Sequence, residues 1–226
     1  MSAGRLLYVY AVVDKAPAEL GLGLEGAPLR AIAAGRVAAV AGEHDQAPEA
    51  DEEKLWQHEA VVERLMEDAV VLPLRFGATV VDEGALEVLL RAREAEFVEL
   101  LDAVRGAVEL SVRAELPVPE PAPVPDGEGA PPASGTEYMR ERARLLRSRD
   151  RAREVLHESL SSPARRSVML PAVVGREADF KGAYLVDAER VESFVELVGE
   201  VGEELGAELS CTGPWPPYTF VSGDGG

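Results

Sequence analysis

Cysteine is almost missing from this chain: Cys211 is the single thiol in 226 residues. No internal disulfide can form, so nothing ties the sequence to an oxidising compartment. Aromatic side chains are scarce, at 5 %. Basic residues are outnumbered, 23 against 41 acidic, which leaves a formal charge of −18 at pH 7. Such a chain repels a phosphate backbone or an anionic membrane surface unless its positive charges segregate, so neither nucleic acid nor membrane is an expected partner. Long apolar runs are missing too. The N-terminal run 6–13 (LLYVYAVV) sits between Arg5 and Asp14-Lys15 without a small-residue cleavage site. It makes a poor signal peptide and falls far short of the roughly 20 residues of a membrane span. A soluble, cytoplasmic protein is the expectation that remains.

What is present is enough for a globular fold. An apolar share of 46 % supports a sizeable core, and 226 residues fit one or two domains of about 100–200 residues each. The clearest boundary is residues 117–135 (PVPEPAPVPDGEGAPPASG), which hold seven of the 16 prolines. Alternating proline fixes φ and removes backbone donors, so this stretch reads as an extended spacer rather than helix or sheet. The predicted domains are therefore 1–116, a proline-rich linker at 117–135, and 136–226.

Both flanks predict α+β structure. Before the linker, strands are expected at 5–13, 29–33 and 36–41, the last two around a tight turn at Ala34-Gly35. A helix follows from about Asp51 with an apolar stripe of Leu55, His58, Val62, Leu65, Met66 and Ala69. Residues 70–81 read as extended with a break at Pro73. A second stripe from Leu86 to Val104 is shared by two helices around 91–93, and 107–116 reads as a closing strand. After the linker come a helix at 136–160, strands at 166–174 and 182–187, and a helix striped by Val191, Phe194, Val195, Val198, Val201 and Leu205. A strand at 208–212 and an extended 218–221 complete the pattern. Each half predicts a mixed or antiparallel sheet with helices on one face, as in ferredoxin-like sandwiches. Charge divides within the second half: 136–166 hold nine arginines against five acids, whereas 177–208 hold two basic against ten acidic residues. These are either two solvated helix faces of opposite sign, or the arginine-rich helix docks an acidic partner.

Catalytic and cofactor motifs fail on context. Gly21, Gly23 and Gly26 match G-x-G-x-x-G, but Pro17 and Pro28 flank them and no helix opens there to hold a pyrophosphate. His58-Glu59 begins a zinc-helix motif, yet Val62 stands where the second histidine is required. His58 reads instead as a satisfied core-edge residue, and Cys211 as a small buried hydrophobe with no base beside it. No catalytic, cofactor or metal residues are predicted.

Two segments are unusual without being catalytic. In Val71-Leu-Pro-Leu-Arg-Phe-Gly77, Arg75 lies among apolar residues, and a buried guanidinium would need a carboxylate or several carbonyls. In Gly213-Pro-Trp-Pro-Pro-Tyr-Thr-Phe-Val221, three prolines stiffen a chain that carries Trp215, Tyr218 and Phe220. This is either a rigid plug over a sheet end or a set of partner anchors held at low entropy cost. Arg75, Phe76, Trp215, Pro216, Pro217, Tyr218 and Phe220 are the candidate partner-binding residues.

Those two segments, with the opening Leu7-Tyr-Val-Tyr-Ala11, His58 and Ala183-Tyr-Leu-Val186, resemble the gas vesicle protein F/L family over nearly the whole chain outside the linker. The resemblance implies a two-domain α+β protein with a ferredoxin-like C-terminal domain. It also implies a non-enzymatic accessory role in gas vesicle assembly or nucleation in the cytoplasm. The implied partners are the hydrophobic shell protein or other vesicle accessory proteins, and no cofactor comes with the family. The competing expectation is a small-molecule-binding or enzymatic ferredoxin-like protein, a fold that hosts many functions.

Overall fold

The computed structural model describes residues 5–116, 135–171 and 179–221. The chain divides into two compact units, Met1–Glu109 with Pro214–Gly226, and Leu110–Gly213. The proline-rich linker lies outside the described residues, as do 172–174 of the strand expected at 166–174.

The first unit is built on a sheet of β1 (Leu6–Val13), β2 (Leu29–Ala34), β3 (Val37–His44), β4 (Val71–Pro73) and β5 (Thr79–Val80). Its order is β2-β3-β1-β4, with β5 also paired to β1. The β2–β3 hairpin turns at Gly35, whose φ of 67° is costly for a residue with a Cβ. Pro73 stands in β4 at the sheet edge, where a missing backbone donor does no harm. Seven of the eight residues of β1 are buried, without the alternation of a one-sided sheet. The cause is cover on both faces, where the sequence suggested one. Helix α1 (Glu52–Asp68) packs on β1 and β4, while α2 (Glu83–Ala92) and α3 (Glu94–Val104) pack on β2, β3 and β4.

A bulge sorts β1 between the two faces. Val9 pairs with Ala41 and Ala11 with Val40, so Tyr10 is an extra residue and the facing parity changes there. Tyr8 before the bulge and Ala11 and Val13 after it thus join Val61, Val62 and Leu65 of α1 in one core. Asp51 and Asp82 cap α1 and α2, each accepting from a backbone N–H at 2.8 Å. The buried stripe of α1 is His58, Val61, Val62 and Leu65; Leu55, expected in it, is exposed.

The second unit carries the sheet β7-β8-β6-β9, from β6 (Ala107–Glu115), β7 (Arg166–Met169), β8 (Phe180–Asp187) and β9 (Glu208–Trp215). Helix α4 (Gly135–Ser161) connects β6 to β7, and α5 (Val191–Leu205) connects β8 to β9. This βαββαβ succession with its 4-1-3-2 strand order is ferredoxin-like, and it belongs to this unit alone. Leu156 and Leu160 of α4 meet Phe194, Val198 and Val201 of α5 over Leu110, Val112, Phe180 and Tyr184 of the sheet. Val195, expected in the α5 stripe, is exposed. Helix α5 ends at Gly206 (φ 59°), where the N–H groups of Gly206 and Ala207 return to the Glu203 and Gly202 carbonyls.

Two boundaries differ from the sequence reading. Strand β6 supplies an inner strand of the second sheet instead of closing the first half. Residues 218–221 are a helical turn, α6 (Tyr218–Val221), and the chain from Pro214 onward belongs to the first unit.

Candidate functional site

The loop after β4 is held from beneath by two side chains. His58, 1 % exposed on the inner face of α1, places Nε2 2.9 Å from the Leu74 carbonyl. A carbonyl only accepts, so Nε2 carries the proton and Nδ1 is free to accept. Nδ1 lies 2.9 Å from the Tyr8 hydroxyl, which donates to it. The same hydroxyl oxygen accepts the Gly77 N–H at 3.2 Å. Burial depresses the pKa of His58, keeping the ring neutral, and pushes the Tyr8 hydroxyl up to about 12. Leu74 N–H also donates to the Tyr10 carbonyl at 2.9 Å. Phe76 sets its ring edge against Tyr8 and His58, and Tyr10 stacks on His58 with centroids 5.3 Å apart.

Fixing Leu74 and Gly77 leaves residues between them to turn. Ala78 N–H returns to the Arg75 carbonyl at 3.3 Å, with Gly77 at φ 95° in the position that favours glycine. Arg75 is thereby directed outward. It is exposed and without an ion pair among the described residues, which corrects the expectation of a buried, partnered guanidinium. Its apolar neighbours in sequence turn inward while it does not.

The C-terminal segment meets the same framework. Helix α6 packs against β4. Pro216, Pro217 and Phe220 are buried, and Thr219 gives the Glu109 carboxylate two hydrogen bonds, from N–H at 2.8 Å and from Oγ1 at 2.7 Å. The buried Tyr218 hydroxyl faces the Glu59 carboxylate, next along α1 from His58. Burial raises the Glu59 pKa, with the polar Tyr218 hydroxyl partly offsetting it and Glu63 adding repulsion. Burial and the Glu59 charge together push Tyr218 upward. Thus Phe76, Pro216, Pro217, Tyr218 and Phe220 are gathered in one unit, around α1 and β4. Arg75 and Trp215 are its exposed members, Trp215 at 39 %.

Sequence reasoning missed one residue here. Trp56 on α1 is 66 % exposed and touches no other ring among the described residues, and its neighbour Leu55 is 44 % exposed. Leu55 lies one helical turn before His58 and Glu59, and Trp56 one turn before Glu59, so Leu55 neighbours both of these groups and Trp56 the second. An apolar stripe drawn through Leu55 hides this, because helical period alone does not separate the edge of a core face from solvent.

The glycine motif and Cys211 are engaged in packing. The Gly21–Gly26 stretch is a packed loop that buries Leu24, whose N–H donates to the Tyr10 hydroxyl at 2.7 Å. Arg64 donates to its Leu20 and Leu22 carbonyls. Cys211 is half-buried against the second core, and burial raises its thiol pKa. Among the described residues no cluster of His, Cys, Asp and Glu could hold a metal ion, and no helix is long and apolar enough to cross a membrane.

Comparison with known proteins agrees along the whole chain. The family model for gas vesicle synthesis protein GvpL/GvpF matches residues 6–222. Gas vesicle protein L of Streptomyces sp. (strain CB03234) is 35 % identical, over 98 % of this chain and 94 % of that protein. Gas vesicle protein F1 of Halobacterium salinarum is 25 % identical over 95 % and 92 % respectively. The crystal structure of GvpF from Anabaena sp. PCC7120 superposes with a TM-score of 0.81 at 20 % identity, covering 98 % of each chain. GvpF from Microcystis aeruginosa gives 0.78 at 20 % identity, covering 96 % of this chain and 99 % of that one. At such identity the two structures speak for the fold.

Proposed function

This chain belongs to the GvpL/GvpF family of gas vesicle synthesis proteins, and from that premise we propose that it serves vesicle assembly by binding, without catalysis. Its first unit holds the hydrophobic shell protein, or another accessory protein of the vesicle, in the cytoplasm before or during assembly. One observation carries this reading: a strongly acidic chain displays Trp56 and Leu55 on α1 and an exposed Arg75 on the loop that α1 and β1 fix from within. Exposed aromatic and arginine side chains on a rigid frame are the residue types that dominate binding energy, since little entropy is lost on contact. The acidity of the remaining surface keeps carrier and client soluble. His58, a residue type suited to acid–base chemistry, has both ring nitrogens engaged in holding the loop.

The test is recovery of the shell protein on immobilised chain. Trp56→Ala with Arg75→Ala removes two exposed groups that no core contact needs, so the variant should melt like the wild type. Recovery should fall at least about tenfold, as for loss of a contact worth about 1.4 kcal/mol. Full recovery by the folded variant, with loss on Trp215→Ala instead, moves the binding surface to the C-terminal segment. Full recovery by both variants overturns the reading.

A further inference from the structure

Helix α4 carries a line of cations that nothing in its own unit uses. Arg140, Arg144, Arg147 and Arg151 are all exposed, and none makes an ion pair among the described residues. At 100° per residue they fall within an arc of about 60°, opposite the side bearing Leu156 and Leu160. The arginines that do pair lie off this line: Arg149 bonds Asp179, and Arg153 bonds Asp150 and the Asp179 carbonyl.

Helix α5 is its counterpart in the opposite sign. Glu192, Glu196, Glu200, Glu203 and Glu204 are exposed, and none has a cation partner among the described residues. They span an arc of about 120°, on the side away from the buried Phe194, Val198 and Val201. Both helices cover the same sheet face, so both lines point away from it. The two lines are of similar length, about 16 Å from Arg140 to Arg151 and about 18 Å from Glu192 to Glu204 at a 1.5 Å rise per residue. The two helices touch, yet among the described residues no ion pair joins the two charged lines.

We propose that this helical face is an interface with a second copy of the same chain, α4 of one copy lying along α5 of the other. Every copy carries both lines, so the contact is self-complementary and closes as a two-fold pair. The complementarity is local: a chain of net charge −18 is otherwise repelled by its copy, and this face offers matched signs. The surface is separate from the first-unit residues that carry the proposed client binding, and neither reading needs the other.

Charge exchange tests it on the full chain. One variant carries Arg144→Glu, Arg147→Glu and Arg151→Glu; a second carries Glu196→Arg, Glu200→Arg and Glu203→Arg. All six positions are exposed, so both should retain wild-type circular dichroism. In sedimentation velocity at low ionic strength and about 100 μM, the wild type should dimerise and each variant alone should stay monomeric. An equimolar mixture of the two should recover the dimer, because each altered helix then faces one of opposite sign. A monomeric wild type, an unchanged dimer in either variant, or a mixture that stays monomeric would overturn the proposal.

Discussion

At the scale of single residues, adjacent positions on α1 do opposite electrostatic work. His58 is buried neutral, so its folded pKa lies below the unfolded one. Protons then favour the unfolded chain, and stability falls as pH drops below about 6.5. Glu59 is the reverse. Its folded pKa is raised, so its contribution is full below the unfolded carboxylate range and is lost as pH rises through the folded value. Near neutrality Glu59 therefore holds a half-buried charge at a cost. Glu59→Gln keeps the size and polarity of the side chain and removes that charge, so it should raise the melting temperature at pH 7.5 and leave it unchanged at pH 4. Equal effects at both values would show that the gain is not electrostatic. His58→Ala should cost about 3 kcal/mol in urea unfolding, since it opens a cavity and strips partners from the Tyr8 hydroxyl and the Leu74 carbonyl.

The elements show how far sequence pattern reaches. Most helices and strands of both units are legible because apolar spacing and local signals agree: Asp51 opens α1 and Gly35 turns a hairpin where the sequence places them. The unbroken apolar run of β1 already signalled a strand buried on both sides, against the expectation of one covered face. Three features were hidden because they depend on contacts remote in sequence. Arg75 turns outward only because His58 and Tyr8 fix the backbone on either side of it. β6 joins the second sheet through partners chosen across the linker. The α6 segment returns to the first unit because Glu109, 110 residues away, receives Thr219. That last contact is testable by complementation. A fragment of residues 1–116 lacks Tyr218, Thr219 and Phe220, so adding a peptide of residues 213–222 should raise its melting temperature by several degrees. The same peptide with Thr219→Val and Phe220→Ala should not. A fragment indifferent to the native peptide would mean that α6 rests on the unit without supporting it.

For the molecule as a whole, the balance of charge decides how it responds to salt. Its ion pairs are largely on the surface: Arg5–Glu43, Arg30–Glu83 and Arg93–Glu96 join side chains that are each more than 40 % exposed. Exposed pairs of this kind contribute about 0–1 kcal/mol each, so screening them removes little. Against that stands the mutual repulsion of 41 acidic side chains opposed by only 23 basic ones, spread over distances that a Debye length of about 10 Å at 0.1 M screens well. The partly buried Asp14 carboxylate, below its ordinary pKa because Arg105 and the Val70 N–H outweigh the cost of burial, is less sensitive to added ions. Relief of repulsion should therefore win. Between 10 and 300 mM sodium chloride at pH 7.5 the melting temperature should rise by several degrees, at a concentration of about 1 μM where association between copies plays no part. A fall over that range would mean that surface ion pairs contribute more here than exposed pairs usually do, and that the acidity of the chain is already neutralised within its own fold.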